Sequence, residues 1–339
     1  MHIKKNIPLF CLILAITLSL CSCKNNETAS NQQIEATNTN VSEDTLTNDN
    51  ISNTNSSEIN SSDNNASNNP SSEQNTSDDN ATNTETPSSN TPFRFVDALG
   101  EWHETTILSN VKKHNYNWEY LTNDGSYITY GDTSQYTVRN GIDVSYHQGT
   151  IDWEKVKAAG YDFAIIRIGY RGYGTSGVLK VDTKFHENIK GAQKAGLDVG
   201  VYFFAQAINE EEAIEEANLV LETLKGYELQ LPVVYDPELI RDNTARTDNV
   251  SGEQFTKNTI VFCEMIKEAG FTPMIYSNMI WEAFLFDMTQ LQDYPFWYAD
   301  YEAVPQTPYD FVMWQYSEKG KVDGVNGVVD LNVWFCPVE

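Results

Sequence analysis

The sequence predicts an α/β chain whose last part, residues 140–339, closes into a TIM-like (β/α) barrel of about eight strands. A small β-rich extension and a disordered linker precede it. Three observations lead there. From Asn140 onward, near-continuous apolar runs alternate with amphipathic stretches, the pattern of a parallel sheet covered by helices. After Tyr276 the apolar runs continue, but the intervals between them are too short for full crossover helices, so the last units are degenerate. Ahead of Asn140 the composition changes sharply at Phe93, where a polar tract gives way to an aromatic, alternating one.

At the N-terminus Lys4 and Lys5 precede an apolar run from Ile7 to Leu20. The run is too short for a membrane span and reads as a secretory signal. It ends in Leu20-Cys21-Ser22-Cys23, which resembles the lipobox of bacterial lipoproteins, with Cys23 as the lipidated residue. Residues 1–22 are therefore expected to leave as a lipoprotein signal peptide. The mature chain is expected at the outer face of the bacterial membrane, facing the cell wall. Of the five cysteines, only Cys263 and Cys336 then remain, and two unpaired thiols are favoured over a disulfide.

Residues 23–92 are dominated by Asn, Ser, Thr, Asp and Glu. Such a tract cannot bury enough apolar area to offset chain entropy. It is expected to be a disordered tether, with a reach of roughly 45 Å for about 70 residues. Residues 93–139 form the β-rich extension. Within it Asn123-Asp124-Gly125 separates two alternating runs and signals a hairpin.

In the barrel, Gly141–Ser145, Phe163–Ile168, Val199–Phe204, Leu231–Asp236 and Pro273–Ser277 read as strands. Helices are expected around Asp152–Ala159, Lys184–Ala195, Glu210–Leu224 and Gly252–Ala269. Each is followed closely by a glycine suited to a left-handed C-terminal cap. Phe296–Ala299, Phe311–Tyr316 and Val328–Val333 supply three further strands.

The net charge of −26 excludes nucleic acid, which needs clustered Lys and Arg. No Cys/His cluster suggests a metal, so neither a metal nor a cofactor is expected. Active sites of such barrels lie at the C-terminal strand ends. The acids placed there are Asp143, Asp236, Glu238, Asp300 and Asp330. Asp236 and Glu238 are one residue apart, which on extended backbone puts both on one face with Cα atoms roughly 6.5–7 Å apart. Glycoside cleavage needs one carboxylic acid to protonate the leaving oxygen and a second carboxylate at the anomeric carbon. Crowded negative charge should raise the pKa of one member and keep it protonated.

The whole set resembles glycoside hydrolase family 25, the lysozymes that cut peptidoglycan between N-acetylmuramic acid and N-acetylglucosamine. The matching segments are Gly141–Gly149, Asp152-Trp153, Phe163–Arg167, Gly200–Ala205, Leu231–Glu238, Tyr276-Ser277, Trp297–Tyr301, Trp314–Tyr316 and Asp330–Asn332. They span nearly all of residues 140–335 in order. The resemblance implies a barrel with about five helices and no metal. It also implies Glu238 as general acid/base, Asp236 as assisting carboxylate, and Asp143 and Asp330 completing the acidic cleft. A monomer acting on glycan strands is expected.

Tyr202, Phe204, Tyr276, Trp297 and Trp314 are candidates for stacking on sugars, with barrel core as the other reading of each. Gln315 is a candidate to hydrogen-bond an N-acetyl group or to close strand ends, and Asp300 is a candidate subsite residue or a solvated surface acid. Arg167, a charge within an apolar strand, is expected to pair with an acid of the cleft. Two other functions fit the same barrel: a non-catalytic glycan-binding lipoprotein, and a hydrolase of another acetamido polysaccharide such as chitin.

Overall fold

The structure, a computed structural model, describes residues 91–241 and 244–338. The expectations for the signal, Cys23 and most of the linker lie outside these residues.

The extension begins two residues ahead of the composition change, with the antiparallel pair β1 (Thr91–Val96) and β2 (Trp102–Ile107). A second hairpin pairs β3 (Leu121–Asn123) with β4 (Ile128–Tyr130), and Asn123-Asp124-Gly125 lies at its turn. The first barrel strand, β5 (Tyr136–Val144), starts four residues before Asn140, so the end of the extension is already barrel wall.

Next come α1 (Trp153–Ala158), β6 (Phe163–Arg171), the short β7 (Leu179–Val181), α2 (Phe185–Lys194), β8 (Asp198–Ala205), α3 (Glu210–Thr223) and β9 (Val233–Pro237). They are followed by α4 (Gly252–Glu268), β10 (Pro273–Ser277), a π-helical turn (Trp281–Leu285), α5 (Met288–Leu291), β11 (Phe296–Ala299), β12 (Met313–Gly320) and β13 (Val329–Pro337). Gly160, Gly196, Gly226 and Gly270 take positive φ just after the first four helices, a conformation that costs other residues a Cβ clash.

The sheet order β5-β13-β12-β11-β10-β9-β8-β6 closes through a β5–β6 pairing, giving an eight-stranded barrel with β7 hung on β6. All barrel pairings are parallel except those of β13, which runs antiparallel to both β12 and β5. The eighth strand therefore presents its start, not its end, at the mouth formed by the C-terminal ends of its neighbours. That reversal keeps Asp330, the second residue of β13, at the active mouth.

Strand alternation divides the core in two. One cluster fills the barrel interior: Phe163, Ile165, Val234, Met274, Tyr276, Trp297, Ala299 and Met313. At the closed end, the Phe163 ring fits only because Gly141 lacks a side chain, since a Cβ there would stand 2.3 Å from the ring. The larger cluster lies between the strands and the layer outside them. Regular helices cover the outer face of the early strands. Around β12 and β13, where crossover helices are missing, and along the start of β5, the extension does this work. Tyr116 packs on Phe335 with ring centroids 4.3 Å apart and donates to the Phe311 carbonyl at 2.6 Å. Asn140 exchanges two 2.9 Å hydrogen bonds with the Ile128 backbone. Cys263, buried on α4, and Cys336 on β13 are both free thiols.

Candidate active site

Two cavities adjoin at the mouth of the barrel, and Glu238 lines both. The smaller, about 230 Å³, is lined by Asp143, Tyr202, Phe204, Asp236, Asp330 and Arg167 among others. The larger, about 500 Å³, takes in Tyr276, Asp300 and Tyr301, together with the turn of the β1–β2 hairpin.

The four acids arrive by separate routes. Asp143 is the penultimate residue of β5 and stands directly opposite Asp330 in the antiparallel β5–β13 register. Asp143 is buried and accepts from the amides of Gln315 and Asn332, both at 2.8 Å. Burial pushes its carboxyl up to about 6 against the pull of those donors and of a hydrogen bond to Asp330. Burial and the charge of Asp143 push Asp330 up to about 9. Like charges directly opposed in a sheet are unfavourable, and one proton shared across the pair resolves the conflict.

Asp236 lies inside β9, buried, with Oδ1 lacking any hydrogen-bond partner. Burial first, then Glu238 and Asp143, hold its carboxyl well above the usual range. Glu238 is the first residue beyond β9, and it borders both cavities at the mouth. The surrounding walls, then Asp143, push its carboxyl up to about 7, while Arg167 opposes them. For both residues loss of water is the larger cause; the crowding of charge expected from the sequence is secondary. The Glu238 backbone is fixed by Gln206, whose amide donates to its carbonyl at 2.6 Å.

The partner of Arg167 corrects the sequence expectation. Its Nε donates to Asp182 at 2.8 Å, an acid just past β7 and outside the strand-end set. Asp182 is buried and also accepts from the Tyr146 and Lys184 backbones. The guanidinium sits 4.8 Å from the Tyr146 ring centroid, and its Nη2 is buried and unpartnered. Two residues that line the small cavity thus each keep a buried polar atom without a hydrogen-bond partner, Arg167 Nη2 and Asp236 Oδ1.

The stacking candidates separate. Tyr202 and Phe204 are half-buried walls of the small cavity. Tyr276 lines the larger one, with its hydroxyl donating to Gln315 at 2.8 Å. Trp297 is 1% exposed inside the barrel and donates to Asn332 at 2.9 Å, so it orients an amide beneath the acids and offers no ring to a sugar. Trp314 is wholly buried on the outer face, as its alternation with the inward-facing Met313 requires, and donates to the Asp300 carbonyl. It lies outside the cleft.

Of the two readings of Gln315, the internal one is what its hydrogen bonds support. Its Nε2 donates to Asp143 and, at 3.5 Å, to Asp330, while its Oε1 accepts from the hydroxyls of Tyr276 and Tyr301. An amide has two donor and two acceptor positions, so none is left for substrate. Asp300 is buried and not a surface acid. It lines the larger cavity, but its oxygens accept from Tyr298, from Glu302 N and from the Gln306 backbone and side chain.

Four positioning residues were not singled out from the sequence. Asn332 carries a usable signal, since it follows Asp330 at the period of two that keeps both on one strand face. Asp182, Gln206 and Gln306 lie in short connections whose patterning gives no such signal.

The Asp143–Asp330 pair makes a pH prediction. The folded-state pKa of Asp330 is raised, so the folded chain binds more protons than the unfolded chain from about pH 4 to about pH 9. Stability from this group is present below that window and is lost as pH rises through it. Asp330→Asn, which fixes the neutral form, is expected to melt at a higher temperature than wild type at pH 8 and to show a flatter fall in stability between pH 5 and 8. Thermal unfolding followed by circular dichroism checks this; parallel pH profiles would contradict it.

Comparison with known proteins identifies the family. Residues 142–325 match the profile described as Glycosyl hydrolases family 25. The Uncharacterized protein YegX of Escherichia coli K12 is 31% identical over 219 residues, covering 61% of this chain and 72% of that protein. Lysozyme M1 of Streptomyces globisporus is 31% identical over 202 residues, covering 57% of this chain and 66% of its own. The solved structure of the modular autolysin LytC from Streptococcus pneumoniae in complex with synthetic peptidoglycan ligand superposes with a TM-score of 0.52 at 26% identity. That alignment covers 71% of this chain and just over half, 56%, of the autolysin chain. The protein therefore belongs to glycosyl hydrolase family 25.

Proposed function

We propose that this protein is a lysozyme-type peptidoglycan hydrolase that cuts the β-1,4 bond between N-acetylmuramic acid and N-acetylglucosamine. The observation that carries the reading is the contrast between Asp236 and Glu238. Glu238 is accessible at the junction of two cavities with its carboxyl held near neutrality, the state a proton donor needs. Asp236 is buried, lines the small cavity and keeps one carboxylate oxygen, Oδ1, without a hydrogen-bond partner.

In this reading Glu238 protonates the leaving glycosidic oxygen and then takes the proton of the attacking water. Asp236 assists from below, either on the positively charged sugar ring or on the N–H of the substrate's acetamido group. Arg167 Nη2, the unsatisfied donor of the same cavity, limits the charge built up there. Asp143 and Asp330, sharing a proton, close the acidic floor. Tyr202 and Phe204 form the walls. The lysozymes among its relatives and the peptidoglycan ligand of the autolysin support the substrate class.

The lipobox-like segment ending in Cys23 supports a further part of the proposal. The chain acts as a lipid-anchored monomer on the outer face of the membrane, with residues 24–92 as its tether to the wall. Detergent-phase partitioning that survives Cys23→Ser would contradict the anchor.

Purified mature chain is expected to release new reducing ends from peptidoglycan, identified as N-acetylmuramic acid by mass spectrometry. Glu238→Gln should lower that rate by about 10²–10⁴-fold, the usual contribution of a general acid, with a melting temperature at neutral pH no lower than wild type, since the raised carboxyl is replaced by its neutral form. Release of N-acetylglucosamine ends, or turnover of chitin oligosaccharides alone, would move the substrate assignment. Binding without turnover would leave a glycan-binding protein. Because the active form of Glu238 is protonated, wild-type kcat/KM should decline as pH rises above about 7. A profile flat to pH 9 would remove Glu238 from the acid role.

A further inference from the structure

The larger cavity has a wall that does not come from the barrel. Val96, Asp97, Leu99 and Gly100, at the turn between β1 and β2, line it together with Tyr301 and Gln306. These turn residues lie well outside the segment matched to the family, residues 142–325.

The hairpin is fixed in place by specific contacts. Gln306 accepts from Val96 N and donates to Val96 O, both at 2.9 Å, as a neighbouring strand would. The same Gln306 Nε2 donates to Asp300 at 3.1 Å, which ties the hairpin to the end of β11. On the other side Asp97 meets Arg241, three residues beyond Glu238, at 3.4 Å. Phe95 is fully buried beneath, against Phe284 and His103. The turn itself is closed by Asp97 Oδ1, which accepts from Leu99 N and Glu101 N.

What this wall presents is apolar. Leu99 is 64% exposed at the tip, and Leu239 and Tyr301 are 37% and 38% exposed around the same cavity. The Tyr301 hydroxyl is held by Gln315, which leaves its ring as the surface offered. An aromatic ring and aliphatic side chains facing polar groups such as Asn278 and Glu302 suit a sugar ring, whose faces carry C–H groups and whose rim carries hydroxyls. The cavity is within the range of roughly 300–1,000 Å³ that holds a small-molecule ligand. It adjoins the acid pocket, with Glu238 lining both.

We propose that the β1–β2 turn is the outer wall of an added glycan-binding subsite, in which Leu99 and Tyr301 flank a sugar of the substrate chain beyond those in the acid pocket. The extension thereby makes the enzyme selective for longer strands. This rests on the glycosidase reading of the same cleft.

The test measures binding, so that it does not depend on turnover. Full mature chain carrying Glu238→Gln is titrated calorimetrically with peptide-free peptidoglycan glycans of two, four and six sugars. Affinity is expected to rise with length. Adding Leu99→Ala should cancel about tenfold of that rise and leave the disaccharide affinity unchanged. Leu99→Met should retain it. Gln306→Ala, which unpins the hairpin, should reproduce the loss. An equal length dependence with and without Leu99, or an equal loss at every length, would overturn the proposal while leaving the cleft a glycan site. Failure of any glycan to bind would overturn both this inference and the function on which it rests.

Discussion

Confining several carboxylates within one barrel mouth is the constraint on which the rest of this structure depends. Taking an ionised carboxylate out of water is costly, and the group answers by raising its pKa or finding donors. This protein uses both answers. Asp143 is given two amide donors, and Asp330 opposite it is pushed toward the neutral form. Asp236 keeps a bare oxygen, and Glu238, pushed up by loss of water, borders both cavities. Arg167 is the opposing charge for both members of the Asp236–Glu238 pair. Its own burial is made tolerable by Asp182 and by flanking tyrosine rings.

The amide network beneath the acids explains why so many large polar and aromatic residues are buried there. Trp297 orients Asn332, Asn332 and Gln315 hold Asp143, and Tyr276 and Tyr301 hold Gln315. Each group is satisfied by the next, so a single orientation of the Asp143 carboxylate is favoured. The reversed β13 is part of the same arrangement. Only an antiparallel strand brings both Asp330 and Asn332 in from its starting end, with Asp330 facing Asp143 across one register pair.

The barrel was readable in the sequence because its signals are periodic. Apolar runs, amphipathic helices and glycine caps repeat from Asn140 to Tyr276, and the shortened rhythm beyond gave the remaining strands. The four acids of the cleft were readable for the same reason, since strand ends converge wherever a barrel closes. What the sequence could not convey is which hydrogen-bonding positions are already taken. Gln315 and Asp300 look like substrate ligands until their internal partners are counted. Trp314 looks like a sugar platform until its strand face is assigned, which the neighbouring Met313 would have allowed. The direction of β13 and the pairing of Arg167 with Asp182 depend on tertiary placement and leave no local trace. The extension was legible as β-rich, but its two uses were not. It covers the barrel where helices are missing, and its hairpin borders the larger cavity.

The proposed chemistry turns on the protonation state of Glu238 at neutral pH. The direct measurement is a carbon-13 NMR titration of the Glu238 side-chain carboxyl in the intact protein, assigned by its loss in Glu238→Gln. A midpoint near 7 is the result this account predicts. A midpoint in the ordinary glutamate range, about 4.3, would contradict it.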